Sequence, residues 1–212
     1  MKGFFITGTD TGIGKTVTAQ ALILSLRGRG YRVAGMKPVA CGGREDALIL
    51  AEAAGFAFPL ELVNPCCFPA PTAPSIAAPG GMSLEGIKEA FASLAREAMV
   101  IVEGIGGWQV PLDERHTVAD MAALLDIPVI LVVGLRLGCL NHALLTAQSI
   151  EASGLPLAGW VANRLAPDMP FEEENIATLS RRIHAPLLGV LPYPLSPCEA
   201  DLEISVLEGA GW

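Results

Sequence analysis

The residues best placed to do chemistry stand near the N-terminus, in Gly8-Thr9-Asp10-Thr11-Gly12-Ile13-Gly14-Lys15-Thr16. Glycines let backbone N–H groups turn inward onto phosphate oxygens. A helix opening at this point adds the partial positive charge of its N-terminus. Lys15 is then set to reach the β- and γ-phosphates of a nucleotide, and the Thr16 hydroxyl to ligate magnesium. The strict form of such a loop has four residues between its outer glycines. Here Gly8 and Gly14 are separated by five, and Thr9 stands where the first glycine of the strict form belongs. The loop predicts a nucleoside triphosphate with Mg2+, but it does not specify a reaction.

Four further candidates lie near the ends of apolar runs. Lys37, in Lys37-Pro38-Val39-Ala40-Cys41-Gly42, is either a solvated strand terminus or a second cation for a phosphoryl or carboxylate group. Asp46 stands at a predicted helix start, where an acid commonly serves only the helix dipole. Glu103 follows Met99-Val100-Ile101-Val102 and precedes Gly104-Ile105-Gly106-Gly107. An acid there either faces solvent or gives magnesium a carboxylate, and the glycines after it favour the second reading. Asn163 closes Trp160-Val161-Ala162, where its amide could read an adenine edge or cap a turn.

The surrounding pattern tells which elements must hold these residues. A short apolar strand over 2–7 feeds the glycine loop, and helical spacing runs from Lys15 to Leu26 before Gly28 and Gly30. Strands are predicted at 31–37, 99–102, 128–133, 157–162 and 187–191, with helices at 45–54, 83–98, 117–125, 140–153 and 171–183. Thr117 and Asp120 have the spacing of a capping box. Six prolines between 56 and 82 exclude regular helix there and predict a long ordered loop. The tail from 194 has weak pattern. Strand–helix alternation without a dividing linker predicts one α/β domain over 1–212, a doubly wound and mostly parallel sheet whose ligands gather at the strand C-terminal ends.

Composition narrows the class. At 51% hydrophobic and 17% charged residues the chain suits buried parallel strands, which read as continuous apolar runs. No run reaches the roughly 18 residues of a membrane span. A formal net charge of −8 argues against generic attraction to nucleic acid or anionic lipid. The five cysteines, Cys41, Cys66, Cys67, Cys139 and Cys198, lack metal-like spacing, so reduced thiols and a cytoplasmic location are expected. Met1-Lys2-Gly3-Phe4-Phe5 runs directly into the glycine loop, and no signal peptide is expected.

Taken together, several segments resemble dethiobiotin synthetases. They are Thr7–Thr16, Lys37-Pro38-Val39, Val102–Trp108, Leu137-Gly138-Cys139-Leu140-Asn141-His142-Ala143 and Gly159–Asn163, in one order over most of the chain. The five-residue loop spacing is itself that family's pattern. The resemblance implies a P-loop NTPase-type fold and an ATP- and Mg2+-dependent ligase. Such an enzyme carboxylates 7,8-diaminononanoate with CO2 and closes the ureido ring of dethiobiotin, releasing ADP and phosphate. The route runs through a carbamate and a carbamic–phosphoric anhydride and needs no enzyme nucleophile.

The resemblance also assigns residues. Lys15, Lys37 and Thr11 would contact the reacting groups. Thr16, Asp46 and Glu103 would hold magnesium. ATP would be bound by Gly12, Ile13, Gly14, Lys15, Thr16, Val17, Asp46, Glu103, Gly104, Ile105, Gly106, Asn163, Arg164, Leu191 and Pro192. Cys41 would meet the diamine where relatives commonly carry serine or threonine. Gly138, Cys139, Leu140 and Asn141 would receive the substrate carboxylate from the other subunit of a homodimer, and His142 is expected to be packed. The competing readings are a small-molecule kinase, a cobyrinate-type amidase domain, or a regulatory ATPase of the partition type. Against the last, Asp10 stands where partition ATPases carry a signature lysine.

Overall fold

The computed structural model describes residues 3–194 and 202–208. Its frame is a six-stranded sheet in the order β2-β5-β1-β6-β7-β8, with every neighbouring pair parallel. β1 (Gly3–Gly8) leads through the glycine loop into α1 (Lys15–Gly28), and β2 (Val33–Met36) forms one edge. β3 (Val39–Cys41) and α2 (Glu45–Ala53) follow, then α3 (Leu60–Val63), β4 (Cys66–Phe68) and α4 (Pro74–Ala77). α5 (Leu84–Ala95) leads to β5 (Met99–Glu103), and α6 (Val118–Leu125) to β6 (Val129–Leu135). The remainder is α7 (Cys139–Ala152), β7 (Leu157–Arg164), α8 (Glu172–Arg182), β8 (Leu187–Leu191) and α9 (Ser205–Glu208).

Alternation along β1 explains the two layers. Phe5 faces a core shared with α5, α6, α7 and α8, whereas Phe4 and Ile6 face a second core with α1. With both faces covered, all six residues of β1 are buried, as are all seven of β6. This is the physical reason those strands read as unbroken apolar runs. β1 lies between β5 and β6, the point from which the sheet is extended in both directions, and such a switch point opens a crevice at the strand C-terminal ends.

The capping box is present: the Thr117 hydroxyl accepts from the Asp120 N–H, and the Asp120 carboxylate accepts from the Thr117 N–H. The stretch 56–82 differs from its expectation as a loop without regular structure. It contains α3, β4 and α4, and β4 pairs in parallel with β3 as a small second sheet. These elements are three or four residues long, too short for a periodic pattern, and the prolines flank them or open them, as Pro74 does at the start of α4. Residues 202–208 pack on the sheet: Leu202, Ile204 and Leu207 are buried, and the Glu203 N–H donates to the Leu188 carbonyl at 2.7 Å. Cys198 and the rest of the tail lie outside the described residues. No helix among the described residues is long and apolar enough to cross a membrane.

Candidate active site

The glycine loop turns at two residues that need positive φ, Gly12 (φ 73) and Gly14 (φ 91), conformations that disfavour a side chain. No side chain caps the N-terminus of α1, which leaves its first N–H groups available to an anion. Lys15, only 6% exposed, donates through its ammonium to the Asp10 carbonyl at 2.7 Å. Burial lowers its pKa to about 8, against the pull of Glu103. At the loop's outer side Asp10 pairs with Arg136 at 2.5 Å.

Lys37 emerges between β2 and β3, and its backbone is fixed from both sides. Its N–H donates to the Val63 carbonyl at 2.8 Å, and its carbonyl accepts from the Asn64 side chain at 2.7 Å. Its ammonium meets Glu103 Oε1 at 2.6 Å, Asp46 Oδ2 at 2.7 Å and the Gly104 carbonyl at 3.3 Å. Burial alone would lower the Lys37 pKa, but Glu103 and Asp46 outweigh it and hold the group above its ordinary value. Burial pushes the Glu103 carboxyl up despite Lys37, while at half-buried Asp46 burial is outweighed by Lys37, Thr16 and Lys15 together, which hold that carboxyl down.

The Thr16 hydroxyl bridges the two acids, 3.1 Å from Asp46 Oδ1 and 2.9 Å from Glu103 Oε1. Glu103 Oε2 is buried without a hydrogen-bond partner. Two carboxylates, one of them with an orphaned buried oxygen, and a hydroxyl form a hard-oxygen donor set that fits magnesium, which takes one or two carboxylates and completes its shell with water and phosphate oxygens. Among the described residues no group of three or more His, Cys, Asp or Glu side chains could hold a metal without such help.

These parts share one cleft of about 490 Å³. Lys15, Lys37, Thr11, Thr16, Asp46 and Glu103 all line it. So do Gly12, Gly14, Cys41, Ile105 and Gly106. The two lysines therefore converge on one space instead of facing apart. Cys41 is partly buried, and burial raises its thiol pKa. Gly104 is present through its carbonyl, while Val17 lies in the first turn of α1 without reaching the cleft wall.

Other candidates sit elsewhere. Asn163 is buried at the end of β7 and donates to the Ile13 carbonyl at 2.7 Å, with its own Oδ1 unpaired. Arg164 pairs with Glu172 at 2.8 Å and lines, with Pro192 and Tyr193, a separate depression of about 510 Å³. The Leu191 side chain is fully buried in the core beneath. Gly138, Cys139, Leu140 and Asn141 open α7 outside the cleft of their own chain; the Cys139 side chain is buried and Asn141 is exposed. His142 is exposed, contrary to the expectation that it packs, because it falls on the outer face of α7 while Cys139 and Ala143 face the core.

Sequence reasoning passed over Asn64, which anchors the Lys37 backbone. Its signal was the Asn64-Pro65 pair, a turn-forming dipeptide inside a segment read as loop.

A family model described as "AAA domain" matches residues 2–197. A relative named ATP-dependent dethiobiotin synthetase BioD from Aromatoleum aromaticum is 50% identical, over 97% of this chain and 96% of its own length. The proteins of that name from Cellvibrio japonicus and Aeromonas hydrophila are 49% and 44% identical, covering 94% and 95% of this chain and 92% and 95% of their own. Among solved structures, a ParA family ATPase from Chlorobium tepidum superposes with TM-score 0.53 at 14% identity, covering 99% of this chain and 97% of that one. Chloroplast FtsY from Physcomitrella patens superposes with TM-score 0.54 at 15% identity, covering 96% and 64%. At such identities the two structures establish the fold alone, that of P-loop nucleotide-binding proteins.

Proposed function

This chain belongs to the ATP-dependent dethiobiotin synthetase family, and on that premise we propose how its residues divide the work of carboxylating and cyclising 7,8-diaminononanoate. The chain is an ATP-dependent ligase of biotin biosynthesis. The observation that carries the proposal is the convergence of Lys15 and Lys37 on one cleft with the oxygen set of Thr16, Asp46 and Glu103. The reaction builds negative charge at one place, first as a carbamate and then on the transferring phosphoryl group. Two buried cations aimed there stabilise that charge where water cannot screen it.

Lys15 and the N–H groups at the start of α1 hold the β- and γ-phosphates. Lys37, kept charged by its two acidic neighbours, orients the carbamate oxygen toward the γ-phosphate. The second substrate amine then displaces phosphate and closes the ring, so positioning supplies the acceleration in place of an enzyme nucleophile. Thr16, Asp46 and Glu103 would hold magnesium, which when bound would neutralise phosphate oxygens. Thr11 and Cys41 face the diamine. Asn163 offers its unpaired Oδ1 to the amino group of adenine, and Arg164 and Pro192 border the base. Gly138 to Asn141 lie outside the cleft of their own chain, which supports a homodimer in which each subunit completes the other's substrate site. Residues 1–212 are read as one catalytic unit working in the cytoplasm.

The deciding assay combines ATP, magnesium, bicarbonate and diamine. ATP turnover should depend on the diamine and on bicarbonate, and should yield a product with the mass of dethiobiotin. Turnover indifferent to the diamine but stimulated by a protein or DNA partner would replace this reading with a nucleotide-driven switch.

A further inference from the structure

The phosphate loop is held from outside as well as by its own glycines. Ile13, within the loop, is 1% exposed. Its side chain fills a notch between the ends of β1 and β6. A Cβ on Gly8 would stand 2.5 Å from Ile13 Cδ1, and one on Gly134 would stand 2.8 Å from Ile13 Cγ2. The notch exists only because neither Gly8 nor Gly134 carries a side chain. Gly134 is also the register neighbour of Asn163 on β7. Past that bare position the Asn163 amide reaches Ile13, 150 residues away in sequence, and donates to its carbonyl at 2.7 Å.

That bond has a geometric consequence for an anion. In a trans peptide the C=O of one residue and the N–H of the next point in opposite directions. Pinning the Ile13 carbonyl toward Asn163 therefore aims the Gly14 N–H the other way. Gly14 itself lines the cleft. Glycine at position 14, with φ 91, offers little resistance to rotation of this peptide. Unpinned, it could turn its carbonyl oxygen, the negative end of the dipole, toward the phosphates.

We propose that Asn163 is a positioning residue for the phosphate loop: its amide N–H fixes the Ile13–Gly14 peptide in the orientation that receives a polyphosphate, independently of any contact with the base. The inference rests on the cleft being the ATP site. It differs from base reading because one atom of the amide, Nδ2, serves the loop, while the other, the buried and unpaired Oδ1, is left for the base.

Magnesium tripolyphosphate, which has no base, separates the two roles. Its affinity is measured by calorimetry for the wild-type protein, for Asn163→Leu and for Asn163→Asp. The second variant keeps the side-chain shape but replaces the donor with an acceptor, and thermal melts check that each is folded. Loss of the donor should weaken tripolyphosphate by about three- to tenfold in every folded variant. Tripolyphosphate affinity within about twofold of wild type, with ATP alone weakened, would overturn the proposal and leave Asn163 as a base reader. Failure of the wild-type protein to bind tripolyphosphate would remove the phosphate site itself, and this inference with it.

Discussion

The ammonium nitrogen of Lys37 lies 2.6 Å from Oε1 of Glu103, in a pair almost sealed from water at 4% and 1% side-chain exposure. A buried pair of this kind is costly to break from one side, because the remaining charge is left uncompensated.

Replacing Lys37 with alanine should thus have two separable effects. Turnover should fall by at least about 100-fold while ATP still binds, because a charge-stabilising donor is lost from the reaction centre. Thermal stability should fall as well, by about 3–5 kcal/mol, and added Mg2+ should recover part of it by neutralising Glu103 and Asp46. Steady-state rates, nucleotide titration and melts with and without magnesium read these out. Retention of most activity would exclude Lys37 from the chemistry.

Glu103→Gln keeps the shape of the side chain and removes its charge. The magnesium concentration giving half-maximal rate should rise about 10- to 100-fold. Calorimetry of Mg2+ with the ADP complex gives the same comparison without turnover. An unchanged magnesium requirement would place the metal elsewhere.

Lys15 sets a pH dependence whose direction can be worked out. Its folded pKa of about 8 lies below the ordinary lysine value of 10.5. Between these values the unfolded chain binds more protons, so this group adds stability as pH rises through that window. Polyphosphate needs the charged form, so ATP affinity should decline above about pH 8, and binding there should take up a proton. Calorimetry in buffers of different ionisation enthalpy counts that proton. Lys15→Arg, charged throughout, should lose the uptake; uptake that persists in Lys15→Arg would assign the proton to another group.

Cys41→Ser should leave the diamine KM unchanged or lower it, because a hydroxyl is a stronger donor than a thiol. The measurement is KM for the diamine at saturating ATP. A large rise in KM would give the sulfur a role of its own.

Much of this was legible in the residues. The loop from Gly8 to Thr16 followed an apolar strand and opened a helical pattern, and β1 and α1 lie where that pattern placed them. Lys37 and Glu103 were visible because a charged residue ended an apolar run. What pairs them was not visible: β2 and β5 are neighbours in the sheet although more than sixty residues separate the two side chains, and pattern alone carries no pairing information. Asn64 and β4 were hidden inside the proline-rich stretch, where three- and four-residue elements leave no period to read. The turn of His142 to solvent depended on which face of α7 meets the core, a matter of helix rotation decided by packing.

The central place of β1 also bears on how a newly made chain matures. Phe5 lies in register with Val102 on one side and Val129 on the other, so this strand is bordered by partners synthesised far later than itself. Such distant pairings are slow to form, because loop closure precedes any gain from contact. The glycine loop thus emerges from the ribosome before the strands that seat it and has no seat until β6 arrives, and nascent fragments ending before Val129 should show no nucleotide affinity.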